Sequence, residues 1–123
     1  MNRKRISNKE KEQWSELVTY VRTKVLGYDE CMNLPKNMVL RLKGLSRGKY
    51  IDNRNVPDKA NYSYDVIRYT FMTCSMKIQD ALKNNTFKNE MHKFNYIMKI
   101  VENNIDDVNE RVNSMKNKNS EAE

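Results

Sequence analysis

Basic side chains are the residues of this sequence most able to bind a ligand, and they are concentrated in two segments. Residues 1–5 carry three basic side chains and no acidic one, and residues 36–59 carry seven basic against two acidic. Residues 60–123 carry nine of each, so the excess behind the net charge of +7 lies in the first two segments. Clustered Lys and Arg neutralise phosphates and release counterions from nucleic acid. We therefore expect a surface that binds a polyanion, the alternative being side chains that only solvate a helix and a loop.

Few residues of the chain have the type and spacing for covalent or metal chemistry. The three glycines are isolated from one another, so none of them belongs to a phosphate-binding loop. Cys31, Cys74 and the single histidine, His92, lack the spacing of a zinc site, and no sequence motif pairs them as nucleophile and base. We expect a protein that is not an enzyme and binds no metal or cofactor, with both cysteines as reduced thiols.

The sequence also bears on location and domain organisation. No segment reaches the roughly 18 consecutive apolar residues of a membrane span, and no apolar run follows the basic N-terminus as it would in a secretion signal. We expect a cytoplasmic protein with no membrane partner. The length of 123 residues fits one domain. We predict one helical domain over residues 1–117, with a basic N-terminal arm at 1–6, a basic loop at 47–62 and a flexible tail at 118–123.

The first half of the chain predicts two helices that must position the basic residues. A capping-box sequence begins at Ser7, and apolar residues then recur at helical spacing from Trp14 to Leu26, before Gly27. Pro35 is placed in the first turn of a second helix. The inner face of that helix consists of Leu34, Met38, Leu42 and Leu45. Residues 47–62 have no helical period and are rich in Asn, Asp and Pro, which is typical of a loop.

A second helical region follows from Ser63 to Asn84, either one helix or two, and Ser75 is a candidate N-cap for its second half. The segment from Ile67 to Leu82 resembles a helix-turn-helix unit, in which residues 75–83 would be the helix that enters the DNA groove. This resemblance implies that Met76, Lys77, Gln79 and Lys83 face DNA, since Gln reads adenine and Lys neutralises phosphate. The alternative for this segment is a helical hairpin that does not contact nucleic acid.

The last predicted helix carries the most regular pattern of the chain. Its apolar residues alternate between spacings of four and three, which is a heptad repeat. They are Phe87, Met91, Phe94, Met98, Val101, Ile105, Val108, Val112 and Met115. Such a helix is longer than a small domain needs, so it either extends to another chain, giving a possible homodimer through residues 87–115, or bends near Asn103 and Asn104. Packing on the Trp14 helix of the same chain is a further alternative. The fold class is therefore all-α, a small domain of four or five helices with a long C-terminal helix.

Two stretches of sequence carry a broader resemblance. Residues 35–45 and 92–105 look similar to small proteins of Firmicute phages and mobile elements, as does the Lys-, Asn- and Ile-rich composition. The part from Asn95 to Ile105 resembles the closing helix of phage replisome-organiser (DnaD-like) domains. The resemblance implies either DNA binding or inhibition of a host defence nuclease.

These observations favour non-enzymatic DNA binding in phage or mobile-element replication or regulation. The alternative is a phage-encoded inhibitor that binds a host protein, such as a CRISPR nuclease, through its basic surface. Lys77, Gln79 and Lys83 of the helix-turn-helix-like segment are predicted to contact DNA. The further predicted phosphate contacts are Arg3, Lys4, Arg5, Arg41, Lys43, Arg47, Lys49 and Arg54, with Tyr50 available to stack on a base.

Overall fold

The protein is an all-α domain, as a computed structural model shows. The structure describes residues 8–29, 31–49 and 59–121, with side chains up to residue 115. Within these described ranges five helices form in chain order, α1 Asn8–Tyr20, α2 Lys36–Ser46, α3 Tyr64–Thr73, α4 Ser75–Asn84 and α5 Glu90–Glu121, and a π-helical turn, Val21–Val25, continues α1. No strand occurs in the described ranges. The predicted fold class, including the long C-terminal helix, is confirmed.

The first two helices follow their apolar periodicity. Leu17 and Val21 are fully buried, and Gly27 takes a φ of +69° just beyond the π-helical turn. Ser7 and its predicted cap lie outside the described residues. Pro35 is the N-cap residue of α2 and not a member of its first turn. The predicted inner face of α2 is buried, so the spacing of its apolar residues was sufficient to orient the helix.

Helices α3 and α4 are separated by Cys74 alone. The Cys74 N–H donates to the Thr70 carbonyl at 2.9 Å, and the Ile78 N–H donates to the Cys74 carbonyl at 2.9 Å. The helices therefore meet at one capping residue, whereas a helix-turn-helix unit needs a turn of three or four residues. Ser75 lies inside α4, so its predicted role as N-cap is wrong. The connection gives the helix-turn-helix resemblance no support.

Helix α5 contributes its heptad residues to the core of its own chain. Phe94, Met98 and Val101 are fully buried, and the helix packs against α2, α3 and α4. It is continuous through Asn103 and Asn104, and at about 1.5 Å per residue it is some 48 Å long. Met115, the last heptad residue, is 65% exposed. Most of the described heptad residues are already buried within the chain. A homodimer through residues 87–115 stays a prediction.

A backbone neck joins the end of α2 to the segment before α3. The N–H groups of Lys59 and Ala60 both donate to the Arg47 carbonyl, at 2.8 and 3.1 Å, and the Tyr62 N–H donates to the Ser46 carbonyl at 2.7 Å. Gly48 sits inside this neck with a φ of +72°. The neck holds both ends of the predicted 47–62 loop against the carboxyl end of α2.

Replacing Gly48 by Ala is expected to destabilise the protein more than replacing Gly27 by Ala. Both glycines have positive φ, which costs a non-glycine residue about 1–2 kcal/mol. A Cβ at Gly48 would lie 2.7 Å from the Ala60 nitrogen, whereas a Cβ at Gly27 meets no atom within 4 Å. We expect Gly27→Ala to lower the free energy of unfolding by about 1 kcal/mol and Gly48→Ala by about 3 kcal/mol, measured by urea denaturation. Equal losses of unfolding free energy in the two variants would show that the backbone neck accommodates the added Cβ without destabilisation.

Candidate nucleic-acid interface

One side of α2 is basic. Lys36, Lys43 and Arg47 are separated by seven and four residues, which keeps them within about 40° of one another around the helix. Lys36 and Arg47 are exposed and Lys43 is half-buried. Residues 31–51 contain no acidic side chain. We call Lys36, Lys43 and Arg47 the α2 basic face, and positive charge collects on it because neither α2 nor its adjoining turns bring a carboxylate.

Two aromatic rings support the middle of this face. The Lys43 ammonium lies 5.3 Å from the centroid of the Trp14 ring, and the Trp14 ring lies 4.9 Å from the Tyr64 ring at an angle of 57°. These contacts bring α1, α2 and α3 together beneath Lys43. A cation over an indole face is attracted by its quadrupole, which restrains the lysine without neutralising it. The α2 basic face is therefore built on a packed junction of three helices.

Arg41 lies on the other side of α2. It lies two positions before Lys43, a rotation of about 200° around the helix, and its surface is only 1% exposed. Its Nη2 is 2.9 Å from Oε1 of Glu102, and its Nε donates to Oδ1 of Asn95 at 3.2 Å. The predicted phosphate contact by Arg41 is therefore wrong, because the guanidinium is buried against α5 and paired there.

The backbone neck places Lys59 beside the carboxyl end of α2, whereas Lys49 lies in a separate cleft. The Lys59 N–H binds the Arg47 carbonyl, and the Lys59 side chain is exposed. Lys49 is half-buried and lines a cleft of about 270 Å³ together with Glu102 and Asp106. Two carboxylates in this cleft counter the charge of Lys49, so its predicted phosphate contact gains no support from its surroundings. That contact stays a prediction.

The cleft also holds a tyrosine with an altered acidity. The Tyr62 hydroxyl donates to Oδ1 of Asp106. This hydrogen bond, together with burial and the negative charge of Asp106, raises the pKa of Tyr62 to about 12. At the start of α5, Tyr28 donates to Oε2 of Glu90 at 2.9 Å, and burial, this hydrogen bond and the charge of Glu90 raise the pKa of Tyr28 to about 12. Both tyrosine hydroxyls form hydrogen bonds that connect α5 to other parts of the chain, and neither is an activated base.

The residues predicted from the helix-turn-helix resemblance lie on a different helix. Lys77, Gln79 and Lys83 are exposed on α4, which packs against α3 and α5. Asp80 is exposed among them. They form a mixed polar surface and do not extend the α2 basic face, so their contact with DNA stays a prediction.

Five predicted site residues lie outside the described residues: Arg3, Lys4, Arg5, Tyr50 and Arg54. The structure adds two that the sequence prediction omitted, Lys36 and Lys59. The spacing of seven between Lys36 and Lys43 was a signal for the first of them, because residues seven apart share a helix face. The placement of Lys59 depends on the neck, which no local pattern reveals.

The described side chains show no arrangement for catalysis at this surface. Among them, no group of three or more His, Cys, Asp or Glu side chains is placed to hold a metal ion. No helix in the described ranges combines the length and apolar character needed to cross a bilayer. The two cysteines are not bonded to each other, Cys31 being exposed and Cys74 buried, and burial raises the pKa of the Cys74 thiol.

Fold and site together define a small all-α protein with a basic face on its second helix. Residues 1–123 match the model of a family described as SPbeta prophage protein YorH, and the chain belongs to that family. No curated protein and no solved structure is significantly similar to the chain. The family match confirms the predicted phage origin, and it carries no sign of a helix-turn-helix or DnaD-like relationship.

Proposed function

We propose that this phage protein binds DNA non-specifically, through the α2 basic face. The observation that supports the proposal is the alignment of Lys36, Lys43 and Arg47 on one side of a helix whose flanking segments contain no acidic residue. Phosphate contacts of this kind position a protein on nucleic acid and supply most non-specific affinity. A role in phage replication or regulation is consistent with such binding.

The binding energy in this proposal comes from released counterions. Lys36, Lys43 and Arg47 contribute three cations, and the arm at residues 1–5 contributes three more in the sequence. Trp14 and Tyr64 are packed against each other, so they brace Lys43 and are not the rings that stack on bases. Tyr50 is the predicted stacking residue. Arg41 does not contribute to DNA binding in this proposal, because its guanidinium is buried and paired with Glu102.

The proposal predicts a steep dependence of DNA affinity on salt. If six cations engage phosphates, the logarithm of the binding constant should fall with the logarithm of salt concentration at a slope of about −5. Fluorescence anisotropy of a labelled random 20-base-pair duplex, titrated at 50 to 300 mM NaCl, measures this slope. A flat response, or no binding at 50 mM NaCl, would dismiss the proposal.

The alternative function is inhibition of a host protein such as a defence nuclease. One observation favours a protein partner, namely three large apolar side chains, Tyr69, Met72 and Met76, that are exposed on α3 and α4. A purified protein that fails to bind a random duplex near physiological salt, while one host protein co-purifies in stoichiometric amount, would favour this function over DNA binding.

A further inference from the structure

Three aromatic rings meet on the surface where the chain enters α5. The centroid of the Phe87 ring lies 5.5 Å from that of His92 and 5.6 Å from that of Tyr96, with interplanar angles of 77° and 64°. Tyr96 is 41% exposed, His92 is exposed and Phe87 is half-buried. Phe87, the first residue of the predicted heptad pattern, packs on these two rings and does not join the apolar core. We call Phe87, His92 and Tyr96 the aromatic cluster.

Hydrogen bonds hold the aromatic cluster in place. Oδ1 of Asn89 accepts from the His92 N–H at 2.8 Å, and the Lys88 N–H donates to Nδ1 of His92 at 3.1 Å. These two bonds fix the connection that carries Phe87 against the first turns of α5. Tyr96 follows His92 by four residues, so both rings lie on one side of the helix. Rings already held in position lose little freedom when a ligand binds them.

Positive charge borders the aromatic cluster. Residues 81–101 carry four lysines and one acidic side chain. Lys88 follows Phe87 directly, and Lys99 lies one helical turn after Tyr96. Both are exposed, and neither forms an ion pair with a described carboxylate. Asp80 precedes this stretch, within the mixed polar surface of α4. The cluster is therefore suited to an anionic ligand.

The acidic residues of α5 do not oppose these lysines. Glu90 lies about 120° around the helix from Tyr96. Its carboxylate is 3.1 Å from Nζ of Lys93 and accepts the hydrogen bond from Tyr28. The next carboxylate on the same side of α5 as Tyr96 is that of Asp107, about 16 Å further along the helix. That distance exceeds the Debye length of about 10 Å at 0.1 M salt.

We propose that the aromatic cluster binds single-stranded DNA, with an unpaired base stacked on the open side of Tyr96 and neighbouring phosphates at Lys88 and Lys99. Exposed rings bordered by cations are how proteins hold single strands, because every base has a face that can stack and every phosphate carries a charge. The bases of a duplex are stacked on one another, so a duplex leaves none for Tyr96. The choice of DNA over RNA rests on the proposed function of α2, whereas the stacking argument does not.

Tyr96→Ala tests the proposal, and Tyr69→Ala is its matched control because Tyr69 is also 41% exposed but lies on α3. Fluorescence anisotropy with a labelled 12-nucleotide oligo(dT) measures the single-strand affinity, and a labelled random duplex is the comparison. We expect Tyr96→Ala to weaken oligo(dT) binding about ten-fold. Tyr96→Phe, which keeps the ring, and Tyr69→Ala should stay within about two-fold. Duplex affinity should not change in any of the three.

A charge variant makes the test independent of the ring substitution. Lys99→Gln should lower oligo(dT) affinity about five-fold at 0.1 M salt and lessen the salt slope by about 0.7, whereas Lys24→Gln, at another exposed site, should change neither. Circular dichroism confirms that each variant is folded.

Four results would overturn the proposal: no binding of oligo(dT), equal losses for Tyr96→Ala and Tyr69→Ala, an equal loss of duplex affinity in Tyr96→Ala, or tighter Tyr96-dependent binding of oligo(U) RNA. Binding of oligo(dT) that depends on Tyr96, with no binding of a duplex, would dismiss the proposed function of α2 and support single-strand binding by the aromatic cluster.

Discussion

Replacing Glu102 by Gln is expected to lower the free energy of unfolding by about 3 kcal/mol, because it removes the charge of a carboxylate that pairs with the buried Arg41 guanidinium. Arg41 is 1% exposed, whereas the Glu102 side chain is 35% exposed. Arg41 Nη2 and Glu102 Oε1 are 2.9 Å apart but are not aligned as a hydrogen bond. The interaction between these two side chains is therefore mainly electrostatic. Gln keeps the shape of Glu but not its charge.

Arg41→Met is the matched comparison. It removes the buried charge and leaves Glu102 with access to water, so we expect a smaller loss, about 2 kcal/mol, mainly from lost packing and the bond to Asn95. The double variant Arg41→Met with Glu102→Leu should recover most of the stability, since apolar replacement of a buried pair is often neutral. Urea denaturation followed by circular dichroism measures all three. A larger loss for Arg41→Met than for Glu102→Gln would contradict this account of the pair.

Replacing Lys43 and Arg47 together by Gln should weaken DNA binding roughly 60-fold at 0.1 M salt, because each lost phosphate contact removes about 0.9 from the salt slope. The slope itself should become less steep by about 2. Both residues are on the α2 basic face, and neither lies in the apolar core. Fluorescence anisotropy at several salt concentrations measures both quantities.

The control for this variant is Lys24→Gln with Lys88→Gln, which lowers the net charge by the same amount at other exposed positions. We expect its affinity to fall less than three-fold and its salt slope to stay near that of the unaltered protein. If both double variants weaken binding equally, the charge acts diffusely and the α2 basic face is not the binding surface. Arg41→Met should leave the affinity of the folded protein unchanged, since Arg41 does not reach the surface.

Local pattern was enough to predict the helices. Each helix that the apolar spacing indicated is present, because a helix in a small domain must bury one stripe and that stripe repeats every three or four residues. The break at Cys74 was harder to predict, since a helix that bends and two helices with a turn share the same apolar period. The predicted cap at Ser75 failed for this reason.

The proposed binding surface could be predicted only in part. The clustering of basic residues between positions 36 and 59 favoured α2, which has a basic side in the structure, but it treated Arg41 and Lys43 as equivalent. Arg41 lies three residues after Met38 and four before Leu45, inside the apolar stripe of α2, and this position was the available signal for its burial. Its partner Glu102 lies on α5, far along the chain, where no local spacing could reveal it.

The sequence by itself determined which segments are helical and where positive charge is concentrated, since both depend on residue type and on neighbours within a few turns. Tertiary structure decided which charges remain on the surface and which partner the heptad residues take. The pattern from Phe94 to Val108 suits a second chain as well as its own core, and packing on α2, α3 and α4 settles the choice for these residues. Such outcomes depend on contacts between residues distant in sequence, where periodicity carries no information.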